Sequence, residues 1–179
     1  MIGGELRGRR LVAPPGRDTR PTSDRVREAV FSILGAVDGA RVLDLFAGTG
    51  ALGIEAISRG AGFALFVDET AEARALIREN VAALGLGGVT RIFRRDATKL
   101  GAAHPVEPFS LVFADPPYGR DLGTAALAAA RGGGWLAPDA LVVVEEAAKS
   151  GFAPPQGFLE LERRGYDDTE VIFCRFNGG

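Results

Sequence analysis

ARVLDLFAGTGALGIEAISR, residues 40–59, changes its pattern halfway along, and that change decides the fold. Ala40 to Phe46 is a mostly apolar run of the kind shown by a strand buried in a parallel sheet, and Ala51 to Arg59 is alanine-rich and reads as a helix. Between them Gly48, Gly50 and Gly53 fall in a G-x-G-x-x-G spacing, so a strand runs through a glycine turn into a helix. Such a turn brings backbone close to a ligand at a helix N-terminus, the arrangement of a nucleotide-binding crevice.

Working outward, the same alternation repeats. Phe63 to Asp68, Thr90 to Asp96, Phe109 to Asp115 and Ala140 to Glu145 read as further buried strands, with helices at Ala71 to Leu84 and Leu122 to Arg131. Upstream, Val26, Ala29, Val30, Ile33 and Leu34 line one helical face behind the cap candidates Pro21-Thr22-Ser23-Asp24. Leu159 to Tyr166 and Thr169 to Phe176, joined at Asp167-Asp168, read as an antiparallel hairpin at one sheet edge. The expectation is an α/β, doubly wound, mostly parallel seven-stranded sheet with an antiparallel C-terminal hairpin.

The chain has 179 residues, long enough for one full core without metals or disulfides. Neither a signal peptide nor a membrane-length apolar run is evident, and Cys174 is the sole cysteine, so a cytoplasmic protein is expected. Residues 1–27 carry seven arginines and a net charge of +4, leaving −6 on the remainder. A basic arm on an acidic body suits a polyanionic partner, or equally a solvated tail. Ile2 to Leu6 and Arg9 to Val12 around Arg7-Gly8 suggest a small hairpin, giving an arm over residues 1–22 and a catalytic domain over 23–179.

The strand ends carry the chemistry. Asp44 closes the first strand beside the turn where a dinucleotide pyrophosphate would rest, and like charges repel there. S-adenosylmethionine, with its cationic ammonium and sulfonium, makes an acid favourable; bracing of the loop is the alternative role. Phe46, Gly48 and Gly50 would line the same pocket, Asp68 has the spacing to accept ribose hydroxyls, and Asp96 with Ala97 would meet the adenine edge. Against this, Arg94 and Arg95 could simply neutralise Asp96.

Asp115-Pro116-Pro117-Tyr118 ends the fourth strand. An exocyclic base amine is a poor nucleophile because its lone pair is delocalised, so both its hydrogens need fixed acceptors. The Asp115 carboxylate and Pro116 carbonyl can supply them, the prolines stiffen the backbone, and Tyr118 offers a stacking face. A plain turn is the simpler reading of Asp-Pro-Pro-Tyr taken alone.

Together these residues resemble a known family. The chain is similar to the bacterial 16S rRNA guanine-N2 methyltransferases that act on position 966, within the wider Asp/Asn-Pro-Pro-aromatic amino-methyltransferases. The likeness lies in Ile2-Gly3-Gly4 with Arg7-Gly8-Arg9, Arg20-Pro21-Thr22 with Asp24 to Glu28, Leu43 to Gly53, Glu55-Ala56, Ser58-Arg59-Gly60 and Asp115 to Tyr118. It implies a Rossmann-like methyltransferase fold, S-adenosylmethionine as cofactor, no metal, and a loop guanine of 16S rRNA in the small subunit or its assembly intermediate, flipped out of its stack. A monomer is expected. Arg7, Arg9, Arg10 and Arg20 would hold phosphates, and Thr22 and Arg25 would lie near the methionine end of the cofactor. One departure is visible: the family often has Glu where this chain has Asp68, and Glu69 could share the ribose contact.

Two other readings stay open on the sequence. The glycine turn with Asp68 fits an NAD-dependent oxidoreductase, and the basic arm fits a noncatalytic RNA-binding module. His104 reads as surface, Cys174 as core, Trp135 as packed over the sheet edge, and Glu145-Glu146 as an ordinary acidic strand end.

Overall fold

A computed structural model of the chain describes residues 1–14, 21–117 and 121–178, with residues 21–23 described as backbone only. Seven strands, β1 (Arg41–Leu45), β2 (Phe63–Val67), β3 (Thr90–Phe93), β4 (Phe109–Ala114), β5 (Leu136–Ala147), β6 (Phe158–Tyr166) and β7 (Thr169–Phe176), form one sheet in the order β3-β2-β1-β4-β5-β7-β6. The first five run parallel, and β7 lies antiparallel to both β5 and β6. The strand order reverses between β1 and β4, where open α/β sheets form their ligand crevice.

Among the described residues four α-helices cover the sheet: α1 (Pro21–Leu34), α2 (Ala51–Ser58), α3 (Ala71–Ala83) and α4 (Leu122–Gly132). Alternation along the strands assigns the faces. Val42, Phe113 and Val143 pack with Val26, Val30 and Phe31 of α1, Ile54 of α2 and Ile77 of α3. Leu43, Val112 and Val144 point the other way, into a core shared with Ala126 and Leu127 of α4. Pro21 opens α1, a position that tolerates proline because its missing N–H would have no partner there. Thr70 caps α3 by accepting from the Ala73 amide.

Two expectations change. The segment before α1 forms no two-stranded hairpin; residues 1–14 hold bends and turns, with Gly4 at φ 76° and Gly8 at φ 83°. Two left-handed glycines that close leave no extended run long enough to pair. Trp135 is not at an edge but fully buried, stacked on Phe109, with Nε1 donating to the Gly101 carbonyl at 2.8 Å. His104 is exposed, and Cys174 is buried with its thiol pushed up to about 12, so it is inert packing. Among the described residues no helix is long and apolar enough to cross a membrane, and no cluster of metal-ligating side chains occurs.

Candidate active site

The glycine turn leaves β1 through Phe46, whose φ of 55° is rare for a bulky residue and marks a backbone bent to a purpose. Gly50 at φ 82° caps α2. Gly53 answers to packing instead: a Cβ there would stand 2.5 Å from the Phe66 ring and 3.1 Å from Asp44 Oδ2. That contact is possible because Asp44 Oδ2 accepts the Gly53 amide at 3.0 Å. Burial pushes the Asp44 carboxyl up to about 8; the Gly53 hydrogen bond offsets part of this, and nearby Asp68 adds to the rise.

Asp68 stands one residue past β2 and braces the same turn from outside. Its Oδ2 accepts the Gly48 amide at 3.1 Å, and its Oδ1 accepts the amide and hydroxyl of Thr70 at 3.0 Å each. Glu69 beside it is exposed. Asp96 lies three residues beyond β3 and caps the 3-10 turn Ala97–Lys99, accepting from Thr98 N at 2.8 Å and Thr98 Oγ1 at 2.7 Å. Those bonds hold its carboxyl below the usual range. Arg95 does not serve Asp96: its guanidinium donates to the Leu100 carbonyl and lies over Phe93 and Trp135.

Asp115 follows β4, whose Ala114 pairs with Leu45 of β1 and Val144 of β5. Counting two residues on from Val42, Phe113 and Val143 puts Asp44, Asp115 and Glu145 on one sheet face at the carboxyl ends of three neighbouring strands. Asp115 is exposed to solvent, yet it lies close enough to the other strand-end acids to feel their charge. Desolvation, then Glu145, Asp44 and Glu146, drive its carboxyl well above the ordinary range, and burial raises Glu145 too. Pro116 is buried and Pro117 exposed; Tyr118 lies outside the described residues. Glu145, read from sequence as an ordinary acidic strand end, thus stands on the same sheet face as Asp44 and Asp115. The signal that places it there is the parallel pairing of β4 with β5, in which Ala114 lies beside Val144.

The residues carrying the N-terminal resemblance form a clasp. Glu55, 0% exposed, accepts the amides of Ile2 at 2.9 Å and Gly3 at 3.1 Å, pairs with Arg59 at 3.1 Å, and meets Arg27 of α1 at 3.4 Å. Ser58 accepts from Leu6 N at 2.9 Å and donates to the Gly3 carbonyl at 2.6 Å. Gly4 is obligatory, since a Cβ would fall 1.7 Å from the Ser58 carbonyl oxygen. The clasp leaves Arg7, Arg9 and Arg10 exposed, with Arg9 reaching the Ala83 carbonyl at 3.2 Å. Arg20 and the Thr22 side chain lie outside the described residues, and Arg25 lines a cavity of about 240 Å³ with Val26, Gly165, Tyr166 and Asp167.

Known proteins can now be set beside this geometry. A family model described as Conserved hypothetical protein 95 matches residues 1–175. Ribosomal RNA small subunit methyltransferase D of Escherichia coli (strain K12) is 41% identical over 165 residues, which is 91% of this chain and 82% of that protein. The protein of the same name in Haemophilus influenzae is 29% identical over 167 residues, 92% of this chain and 86% of the other. Among solved structures, yhhF from Escherichia coli superposes with a TM-score of 0.84 at 30% identity, covering 99% of this chain and 97% of that one. TrmN from Thermus thermophilus superposes at 0.70 and 26% identity, over 84% of this chain and 48% of its own. With nearly every residue inside the family model, and these relatives sharing the sheet that carries the strand-end acids, the chain belongs to the ribosomal RNA small subunit methyltransferase D family and is a methyltransferase.

Proposed function

We propose that this methyltransferase takes S-adenosylmethionine as cofactor and methylates the exocyclic N2 amine of a flipped-out loop guanine in 16S rRNA, equivalent to position 966, within the small subunit or its assembly intermediate. It acts as a cytoplasmic monomer without a metal. The observation that carries the reading is the row of Asp44, Asp115 and Glu145 on one face at the ends of β1, β4 and β5. Carboxyls that hold their protons above the ordinary range, the buried Asp44 and the solvent-facing Asp115, are mismatched to a pyrophosphate and matched to a cationic ligand, which would draw those protons off. The cofactor therefore fits the residues present, whereas NAD does not, and membership of a methyltransferase family leaves no place for a noncatalytic module.

S-adenosylmethionine, when bound, supplies a methyl group made electrophilic by its sulfonium. Asp44 would face its ammonium, Phe46, Gly48 and Gly50 would line the pocket, Asp68 would take the ribose with Glu69 beside it, and Asp96 and the Ala97 amide would take adenine. Thr22 and Arg25 would close the pocket from α1. For the base, the Asp115 carboxylate and Pro116 carbonyl accept the two amine hydrogens, which turns the nitrogen lone pair out of the ring. Pro117 fixes the backbone behind them and Tyr118 stacks on the base. Arg7, Arg9, Arg10 and Arg20 hold phosphates, positioning the RNA without reading it.

The test is to incubate the protein and methyl-labelled cofactor with unmodified small subunits and, separately, with bare 16S rRNA, then to identify the labelled nucleoside. N2-methylguanosine is expected. Label on adenosine or cytidine would overturn the choice of base, and no transfer to either RNA would overturn the substrate.

A further inference from the structure

Asn80 is 1% exposed and sits in the apolar stripe of α3 between Ile77 and Val81. A buried amide costs stability unless its polar atoms are paired, so an apolar side chain is the default for that position. Here the amide reaches two segments far apart in the chain. Its Oδ1 accepts the Val12 amide at 2.6 Å, and its Nδ2 donates to the Val12 carbonyl at 3.2 Å and to the Thr49 carbonyl at 3.0 Å. Val12 belongs to the basic N-terminal segment; Thr49 is the middle of the glycine turn, between Gly48 at φ 59° and Gly50 at φ 82°.

We propose that Asn80 is a positioning residue that fastens the N-terminal arm to the glycine turn, so that the cofactor site holds its shape only while the arm is docked. A turn flanked by two left-handed glycines has many conformations open to it, and an anchor on the carbonyl between them restricts that freedom. The anchor is itself fixed by the arm, which satisfies both ends of the same amide. The arm also grips Glu55 and Ser58 of α2, the helix that grows out of the turn. Arm docking and turn geometry therefore stand or fall together. This rests on reading the glycine turn as the S-adenosylmethionine site.

The test measures binding of S-adenosylhomocysteine, a stable cofactor analogue, by titration calorimetry, and amide hydrogen exchange across residues 48–50, both without RNA. Asn80→Ala removes the anchor and is expected to weaken binding about tenfold, on the scale of one lost net hydrogen bond. Val12→Pro removes the N–H that Asn80 Oδ1 accepts, besides fixing the local backbone, at a position 41% exposed, and leaves every atom of the turn untouched. It is expected to weaken binding about threefold and to speed exchange at residues 48–50, as lost ordering of the anchor requires. A merely structural role for Asn80 would lower the melting temperature while leaving affinity and exchange unchanged well below it. Wild-type affinity and exchange in Val12→Pro and in folded Asn80→Ala would overturn this inference alone. A wild-type protein that binds no S-adenosylhomocysteine would overturn both it and the cofactor reading.

Discussion

The carboxyl edge of the sheet has two halves built on opposite electrostatic plans. On the outer side, Asp68 and Asp96 are saturated by their own neighbourhood: Thr70 and Gly48 serve one, Thr98 serves the other through both amide and hydroxyl. On the inner side, Asp44 has one backbone amide, and Asp115 and Glu145 face each other across adjacent strands. Local hydrogen bonds favour the ionised acid and depress Asp96, whereas desolvation and, at Asp115 and Asp44, neighbouring carboxylates disfavour it and raise Asp44, Asp115 and Glu145. The outer acids brace the turns around them; on the proposed reading, the inner ones meet the positive charge of the cofactor.

The contrast is broken most severely at Asp115. Asp115→Ala removes an acceptor for the amine and is expected to lower kcat about 10²- to 10³-fold, the usual cost of one preorganised polar group, with the fold intact. Asp115→Asn keeps an oxygen acceptor and should lose far less. Single-turnover methyl transfer with each variant measures the difference; equal losses would show that charge, and not orientation, is what Asp115 contributes.

Asp44→Asn comes next and acts on stability and function in opposite directions. A carboxyl raised in the folded state holds its proton more tightly there than in the unfolded chain. Stability therefore falls as pH climbs from the ordinary carboxylate range through about 8, at up to ~1.4 kcal/mol per pH unit. The amide cannot ionise, so Asp44→Asn should flatten that decline and melt higher than wild type at pH 8 to 9, while binding the cationic cofactor about tenfold to a hundredfold more weakly. Melting curves against pH, paired with calorimetry, check both; a variant no more stable than wild type at pH 9 would mean that Asp44 is not strained.

The outer half was the easier to read from sequence, and the reason is range. The strand-glycine-helix passage, the helix from Ala71 and the C-terminal hairpin rest on neighbours within a few residues, and each formed at the expected place to within a few positions. Strands β1 to β4 end earlier than the apolar runs suggested, which leaves Asp68, Asp96 and Asp115 in loops, free to aim their side chains. The placing of Glu145 beside Asp115 follows from the β4–β5 register, which no local pattern carries. Asn80 and Glu55 are polar residues inside apolar helical stripes; the sequence marks them as odd, but only the packed chain shows that the N-terminal arm is what they hold. That same arm departs from the hairpin expectation, because its own hydrogen bonds are turn-like, as from Gly8 N to the Met1 carbonyl, and its remaining polar groups are taken up by Ser58 and Glu55 of α2.

Asp96 offers the mirror image of Asp44. Its depressed carboxyl contributes stability that is present above the unfolded value and is lost as pH falls through the folded one. Asp96→Ala removes the cap of the Ala97–Lys99 turn and is expected to cost about 0.5–2 kcal/mol at neutral pH, shrinking toward zero in acid. Urea melts at pH 7 and pH 3 measure it, and a loss that persists undiminished in acid would assign the effect to the turn rather than to the charge.

The smallest expected effect tests the arm against the acidic body. Arg7 and Arg10 are exposed, whereas Arg9 already spends one N–H on the Ala83 carbonyl. If the arm holds phosphates, each free arginine lost should reduce the slope of log binding constant against log salt by about 0.7 to 0.9, with affinity falling alike for cognate and unrelated RNA. Arg7→Ala and Arg10→Ala should therefore shift the slope additively and leave the labelled nucleoside unchanged. Arg9→Ala should shift it less than either, because its guanidinium is already tethered to α3. Filter binding at several salt concentrations resolves these slopes, and an unchanged slope in the Arg7→Ala, Arg10→Ala double variant would confine the RNA to the acidic face, where the three strand-end carboxylates would have to tolerate its charge unaided.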